Sequence, residues 1–128
     1  MAPEILLTKP YNCLVDVWSL GIIMLELAEG NNPYRGMPLS RIMFAMKNEN
    51  APRIRNKDKR WSDELIDFVN KKCLIKNPTE RADTYELLSH PLMKNADDEE
   101  HKDAYMYFIT DYYNSSKIKI KANKIDLV

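Results

Sequence analysis

Apolar residues recur at helical spacing along most of the chain. The densest run, Val15 to Glu29, holds Val15, Val17, Trp18, Leu20, Ile22, Ile23, Met24, Leu25 and Leu27. It ends at Gly30, a residue suited to a helix C-terminus. Its apolar positions lie nearly all round, so the spacing predicts a helix enclosed by protein. Asn31 to Pro38 is rich in Asn, Pro and Gly and predicts a loop. Leu39, Ile42, Met43 and Met46 then fall at i, i+3, i+4 and i+7, which predicts an amphipathic helix over Leu39–Asn48. Glu49 to Arg60 is polar, contains Pro52 and reads as a surface loop.

Ser62 is a candidate N-cap, with Asp63 and Glu64 in the first turn behind it. Leu65, Ile66, Val69 and Cys73 line one face of a third predicted helix ending near Leu74. Asn77-Pro78 starts a turn. Asp83 with Glu86 resembles a capping box and opens a short fourth helix through Leu88, stopped by His90-Pro91. No strand is predicted through residue 94. Residues 97–103 carry five acids and one lysine, net −4. Tyr105, Tyr107, Tyr112 and Tyr113 follow, and then Lys117 to Lys121 alternates like an exposed strand. This tail reads either as one extra helix with a loose end or as a largely disordered, solvated appendage.

Composition narrows the class. At 128 residues the chain is one domain at most, and 45% hydrophobic with 30% charged residues fits a soluble globular protein. The 19 basic residues balance the 19 acidic ones, so no general nucleic-acid binding is expected. Locally, residues 41–60 hold seven Lys/Arg against two acids, net +5. That run either attracts acidic sequences or phosphates, or is simply a solvated surface. Cys13 and Cys73 stand outside any CxxC or His/Cys pattern, so neither a disulfide framework nor a zinc site is expected and a reducing compartment is. No targeting segment is visible. The apolar stretch Leu14 to Ala28, broken by Asp16, Ser19 and Glu26, is too short to span a bilayer.

Several short motifs share an order. Ala2-Pro3-Glu4 comes first, then Asp16-Val17-Trp18-Ser19-Leu20-Gly21 opening an apolar helix. Asn32-Pro33-Tyr34 follows, and last Arg81 ahead of Leu87-Leu88-Ser89-His90-Pro91. Together they resemble the distal half of the C-lobe of a eukaryotic protein kinase. Pro38 to Phe44, Trp61-Ser62-Asp63 and Cys73 to Pro78 are similar to germinal-centre (sterile-twenty-like, Hippo-like) serine/threonine kinases. The expected fold is therefore all-α, a partial kinase domain over residues 1–94 with a tail over 95–128. The resemblance pairs Glu4 with Arg81, tying the end of the activation segment to the last helices. It gives Asp16 the backbone N–H groups of the catalytic loop as donors; the alternative is that Asp16 caps its own helix. Trp18 and Gly21 are expected in the core. Leu39, Ile42, Met43 and Met46 correspond to a surface used for substrates and docking proteins.

Phosphoryl transfer needs a glycine-rich loop, a Lys–Glu pair, a catalytic Asp, an Asn for magnesium and the Asp of Asp-Phe-Gly. In the family's order all precede Ala-Pro-Glu, so no catalytic, ATP or metal residue is expected here. ATP and Mg2+ are expected only of a longer parent. His101-Lys102-Asp103 imitates the catalytic triplet, but Phe108 stands where the Asn belongs. Asp67-Phe68-Val69 and Leu74-Ile75-Lys76 are likewise chance likenesses. Met1 just before Ala-Pro-Glu fits an internal methionine taken as a start, a gene remnant or a truncated gene. Three functions stay open. The chain is a piece of a cytoplasmic serine/threonine kinase, its core face covered by a missing N-terminal half. Or it is a short non-catalytic protein that binds a kinase or another partner through exposed helices. Or it is an unrelated helical domain.

Overall fold

The computed structural model describes residues 1–56 and 59–94, with residues 103, 106, 107, 110, 111 and 114 further on. The chain divides into two compact units, Met1–Met93 and Lys94–Val128. In the second unit Lys94 lies in a turn and the other described positions are helical; the expectations for the acidic, tyrosine-rich and lysine-rich stretches otherwise lie outside the described residues.

The first unit is helical, with no strand among the described residues. Helix α1 (Pro3–Leu6) opens on Pro3, whose fixed φ suits the first helical position. Four residues are too few to show a period, so the spacing of apolar residues gave no sign of it. Helix α2 (Leu14–Glu29) begins where the Leu14 N–H donates to Asn12 Oδ1 at 3.0 Å. It ends at Gly30 in the left-handed region, φ 71°. Helix α3 (Leu39–Asn48) has the predicted limits. Helix α4 (Asp63–Asp67) starts at Ser62, whose hydroxyl accepts the Leu65 N–H at 3.2 Å. Helix α5 (Thr84–Leu88) starts at Asp83, which accepts the Glu86 N–H at 2.8 Å. A single 3-10 turn, Pro91–Met93, follows.

Past Asp67 the third predicted helix changes character. Phe68–Cys73 winds as a π-helix, and the Leu74 N–H reaches back to the Val69 carbonyl at 2.9 Å. Phe68, Val69, Cys73 and Leu74 are all buried. These residues pack against the buried face of α2: Val17, Trp18, Gly21 and Leu25. The approach is close. A Cβ on Gly21 would lie 2.7 Å from Cys73 Cβ and 2.8 Å from Leu74 Cδ2. Cys73 Cβ is bonded directly to the backbone and cannot swing away. Gly21→Ala is therefore expected to destabilise the fold by about 1–3 kcal/mol, read as a lower urea midpoint. Burial pushes the Cys73 thiol up to about 11, against a smaller opposite pull from the Arg81 charge, so it stays a packed thiol.

Two expectations are corrected. Helix α2 is not enclosed: Leu20, Ile23 and Leu27 are 40%, 56% and 77% exposed along one stripe. Its apolar residues exceed what the described elements can cover. The polar stretch Glu49 to Arg60 is not wholly a surface loop either, because Ile54 is buried in the core. Asn70, in the π-helix, holds it there. Its Oδ1 accepts the Ile54 N–H at 2.8 Å and its Nδ2 donates to the Ile54 carbonyl at 3.0 Å.

Candidate functional site

The residues singled out by the motifs meet around Arg81. Helix α1 carries Glu4 and the turn before α5 carries Arg81, 77 positions apart in the sequence. The pair is bidentate: Nη1 to Oε1 at 2.8 Å and Nη2 to Oε2 at 3.1 Å. The remaining donors are also used. Nε donates to the Ile75 carbonyl at 2.9 Å, Nη1 to the Leu14 carbonyl at 2.8 Å and Nη2 to the Lys76 carbonyl at 3.5 Å. A guanidinium has five N–H donors, and here each has an acceptor. Four segments are thereby joined at one buried point: α1, the start of α2, the end of the π-helix and the approach to α5. The guanidinium also lies 5.3 Å from the Trp18 ring centroid, where the ring face attracts a cation.

Burial alone would push the Glu4 carboxyl up. The Arg81 hydrogen bonds, a backbone hydrogen bond and the Arg81 charge outweigh it and hold Glu4 below the usual carboxylate range. The Lys71 and His90 hydrogen bonds hold Asp67 low as well, with burial pulling slightly the other way. Both carboxylates are more acidic folded than unfolded. Their stabilisation is full above the unfolded values and is lost as pH falls through the folded ones. The melting temperature is expected to hold down to about pH 5 and to drop below about pH 4.5. In Glu4→Gln the acid-dependent drop should shrink, which a pH series of thermal melts checks.

Asp16 occupies the first turn of α2 and is exposed. Among the described residues its side chain makes no hydrogen bond, and the N-terminal Leu14 N–H of the helix is taken by Asn12 Oδ1. The capping alternative is corrected on that ground. A negative charge in a first turn still complements the helix end. Trp18 is fully buried, and its indole N–H has no partner among the described residues.

The expected docking stripe divides. Leu39 is 59% exposed and Met43 is also exposed, while Ile42 is half-buried. Met46 is 3% exposed and belongs to the core. The i, i+3, i+4, i+7 pattern that marks the stripe is the same pattern that seats a helix on its core. The Tyr34 hydroxyl donates to Met46 Sδ at 3.8 Å. Burial, with the Glu49 charge, pushes Tyr34 up to about 12.

Three further residues organise this region through contacts that local spacing does not predict. Lys76 Nζ donates to the carbonyls of Ala45 (2.9 Å), Met46 (2.7 Å) and Glu49, closing the C-terminus of α3. Asn70 fixes Ile54. His90 is buried, with Nδ1 accepting the Leu92 N–H at 3.1 Å. Its proton then sits on Nε2 when the ring is neutral, and Nε2 donates to Asp67 Oδ2 at 3.1 Å.

Gly21 is locked inside α2, and Gly30 and Gly36 lie singly in turns at positive φ. Among the described residues no three His, Cys, Asp or Glu side chains come together as a metal site, and no helix is long and apolar enough to cross a membrane.

Comparison with known proteins agrees with this geometry. The protein kinase domain matches residues 1–93. The serine/threonine-protein kinase hippo of Drosophila melanogaster is 47% identical over 96 residues. That match covers 75% of this chain and 14% of the fly protein, so the chain spans a small part of this relative's length. A buried Glu4–Arg81 pair joining the first and last motifs, a kinase-domain match from end to end of the first unit and this degree of identity lead to one conclusion: the chain belongs to the protein kinase family.

Proposed function

We propose that residues 1–94 are the distal half of the C-lobe of a serine/threonine kinase. The parent would transfer the γ-phosphoryl of ATP to protein Ser/Thr in a cytoplasmic signalling cascade. The observation that carries this reading is the fully satisfied Arg81. It ties the Ala-Pro-Glu turn to the last helices, which is a scaffolding role. ATP and magnesium would belong to other parts of the parent, as would the catalytic Asp. The exposed α2 stripe of Leu20, Ile23 and Leu27 would receive the earlier part of the same domain. Buried together, such side chains contribute roughly 1.5–3 kcal/mol each. In the second reading that same stripe would take a separate partner, leaving a short protein with no catalysis of its own.

Size separates the two. An antibody raised against residues 97–128 should detect a band well above 15.0 kDa in a cell extract. A band at 15.0 kDa would overturn the parent-kinase reading in favour of the short binding protein.

A further inference from the structure

A cleft of about 640 Å3 opens between the end of α2, the loop before α3, α3 itself and the stretch around Ile54. Its apolar floor includes Leu25, Ala45 and Tyr34. Arg41, Arg53, Arg55, Glu29 and Glu49 also line it, three positive charges and two negative. Both carboxylates are already engaged. Glu49 pairs with Arg41 at 2.7 Å, and Glu29 Oε1 accepts the Arg55 backbone N–H at 2.9 Å. Among the described residues no carboxylate pairs with the guanidinium of Arg53 or Arg55.

The two arginines are held in place. Asn70 clamps both the N–H and the carbonyl of Ile54, whose side chain is buried. Arg53 and Arg55, on either side of it, are both exposed. A backbone already held in place has less freedom to lose when its side chains bind. The surrounding residues 41–60 carry net +5, which extends the positive field beyond the cleft.

We propose that this cleft docks an acidic peptide of a partner protein. One apolar side chain would sit on the floor, and flanking carboxylates would meet Arg53 and Arg55. Guanidinium forks match carboxylates bidentately, which favours Asp and Glu over neutral side chains. The site needs no phosphoryl transfer, so it stands apart from the parent-kinase reading, which is tested by the size of the native product.

The test uses the full chain and a short fluorescent peptide of Asp and Glu around one leucine. Anisotropy should show saturable binding that weakens as salt rises. The same peptide with Asn and Gln should bind at least about tenfold more weakly. The double variant Arg53→Ser/Arg55→Ser should lose about tenfold or more in affinity with an unchanged circular dichroism spectrum, both residues being exposed. Glu49→Gln, which releases Arg41, should tighten binding. No binding, equal binding of the neutral peptide, or unchanged affinity in the double variant would overturn the proposal.

Discussion

Arg81→Ala should cost the fold about 3–5 kcal/mol. A domain's whole stability is only about 5–15 kcal/mol, so this variant is expected to be largely unfolded at 37 °C. The loss has two parts. The Glu4 carboxylate, 3% exposed, is left charged and buried without its partner. The carbonyls of Leu14, Ile75 and Lys76 also lose their donor. Arg81→Lys keeps the charge but brings three donors to five acceptors and cannot bridge both carboxylate oxygens. It should fall between wild type and alanine. Replacing both partners, as in Glu4→Leu/Arg81→Met, should cost less than the two single changes added together, because no charge is left stranded. Urea denaturation of wild type, Arg81→Ala, Arg81→Lys, Glu4→Leu, Arg81→Met and the double variant checks this ordering. Additive losses would show that the pair is worth no more than a surface contact.

Trp18→Ala should cost about 3–5 kcal/mol, because the ring is fully buried between α2 and the π-helix. Trp18→Phe discriminates between packing and polarity. The indole N–H has no acceptor among the described residues, so losing it forfeits no hydrogen bond. The cost should then be only the missing volume, about 1–2 kcal/mol. The aromatic face toward the Arg81 guanidinium is kept. A phenylalanine variant as unstable as the alanine one would mean that the indole nitrogen has a partner.

These residues differ in how far the sequence reveals them. Helices α2 and α3 are legible as runs of apolar residues at helical spacing and α5 from its capping box: Gly30 ends α2 and Asp83 caps α5. Such signals act within a few residues and need no knowledge of the rest of the chain. The Glu4–Arg81 contact spans 77 positions, and nothing local distinguishes Arg81 from any other arginine. Only the order of the motifs points to it. Ile54 is a lone apolar residue in a polar stretch, and its burial depends on Asn70, 16 positions later. Met46 shows the reverse difficulty. Apolar spacing identifies a face, but whether that face meets the core or a partner is decided by what lies opposite. The excess of apolar residues on α2 signals burial correctly at Val17, Trp18 and Leu25; at Leu20, Ile23 and Leu27 the described elements leave it uncovered.

The widened winding of Phe68–Cys73 means that residue count matters here as much as residue identity. A regular α-helix turns each residue by about 100°, so deleting one residue to restore regular winding would rotate the following chain by about that angle. Leu74 would leave the side that meets Gly21, and Lys76 would leave the last carbonyls of α3. Arg81 would be drawn back along the chain from Glu4. Substitutions in this stretch are absorbed or refused one side chain at a time. A single deletion would instead dislocate the core, the helix end and the buried ion pair together, so the segment should accept altered composition far more readily than altered length.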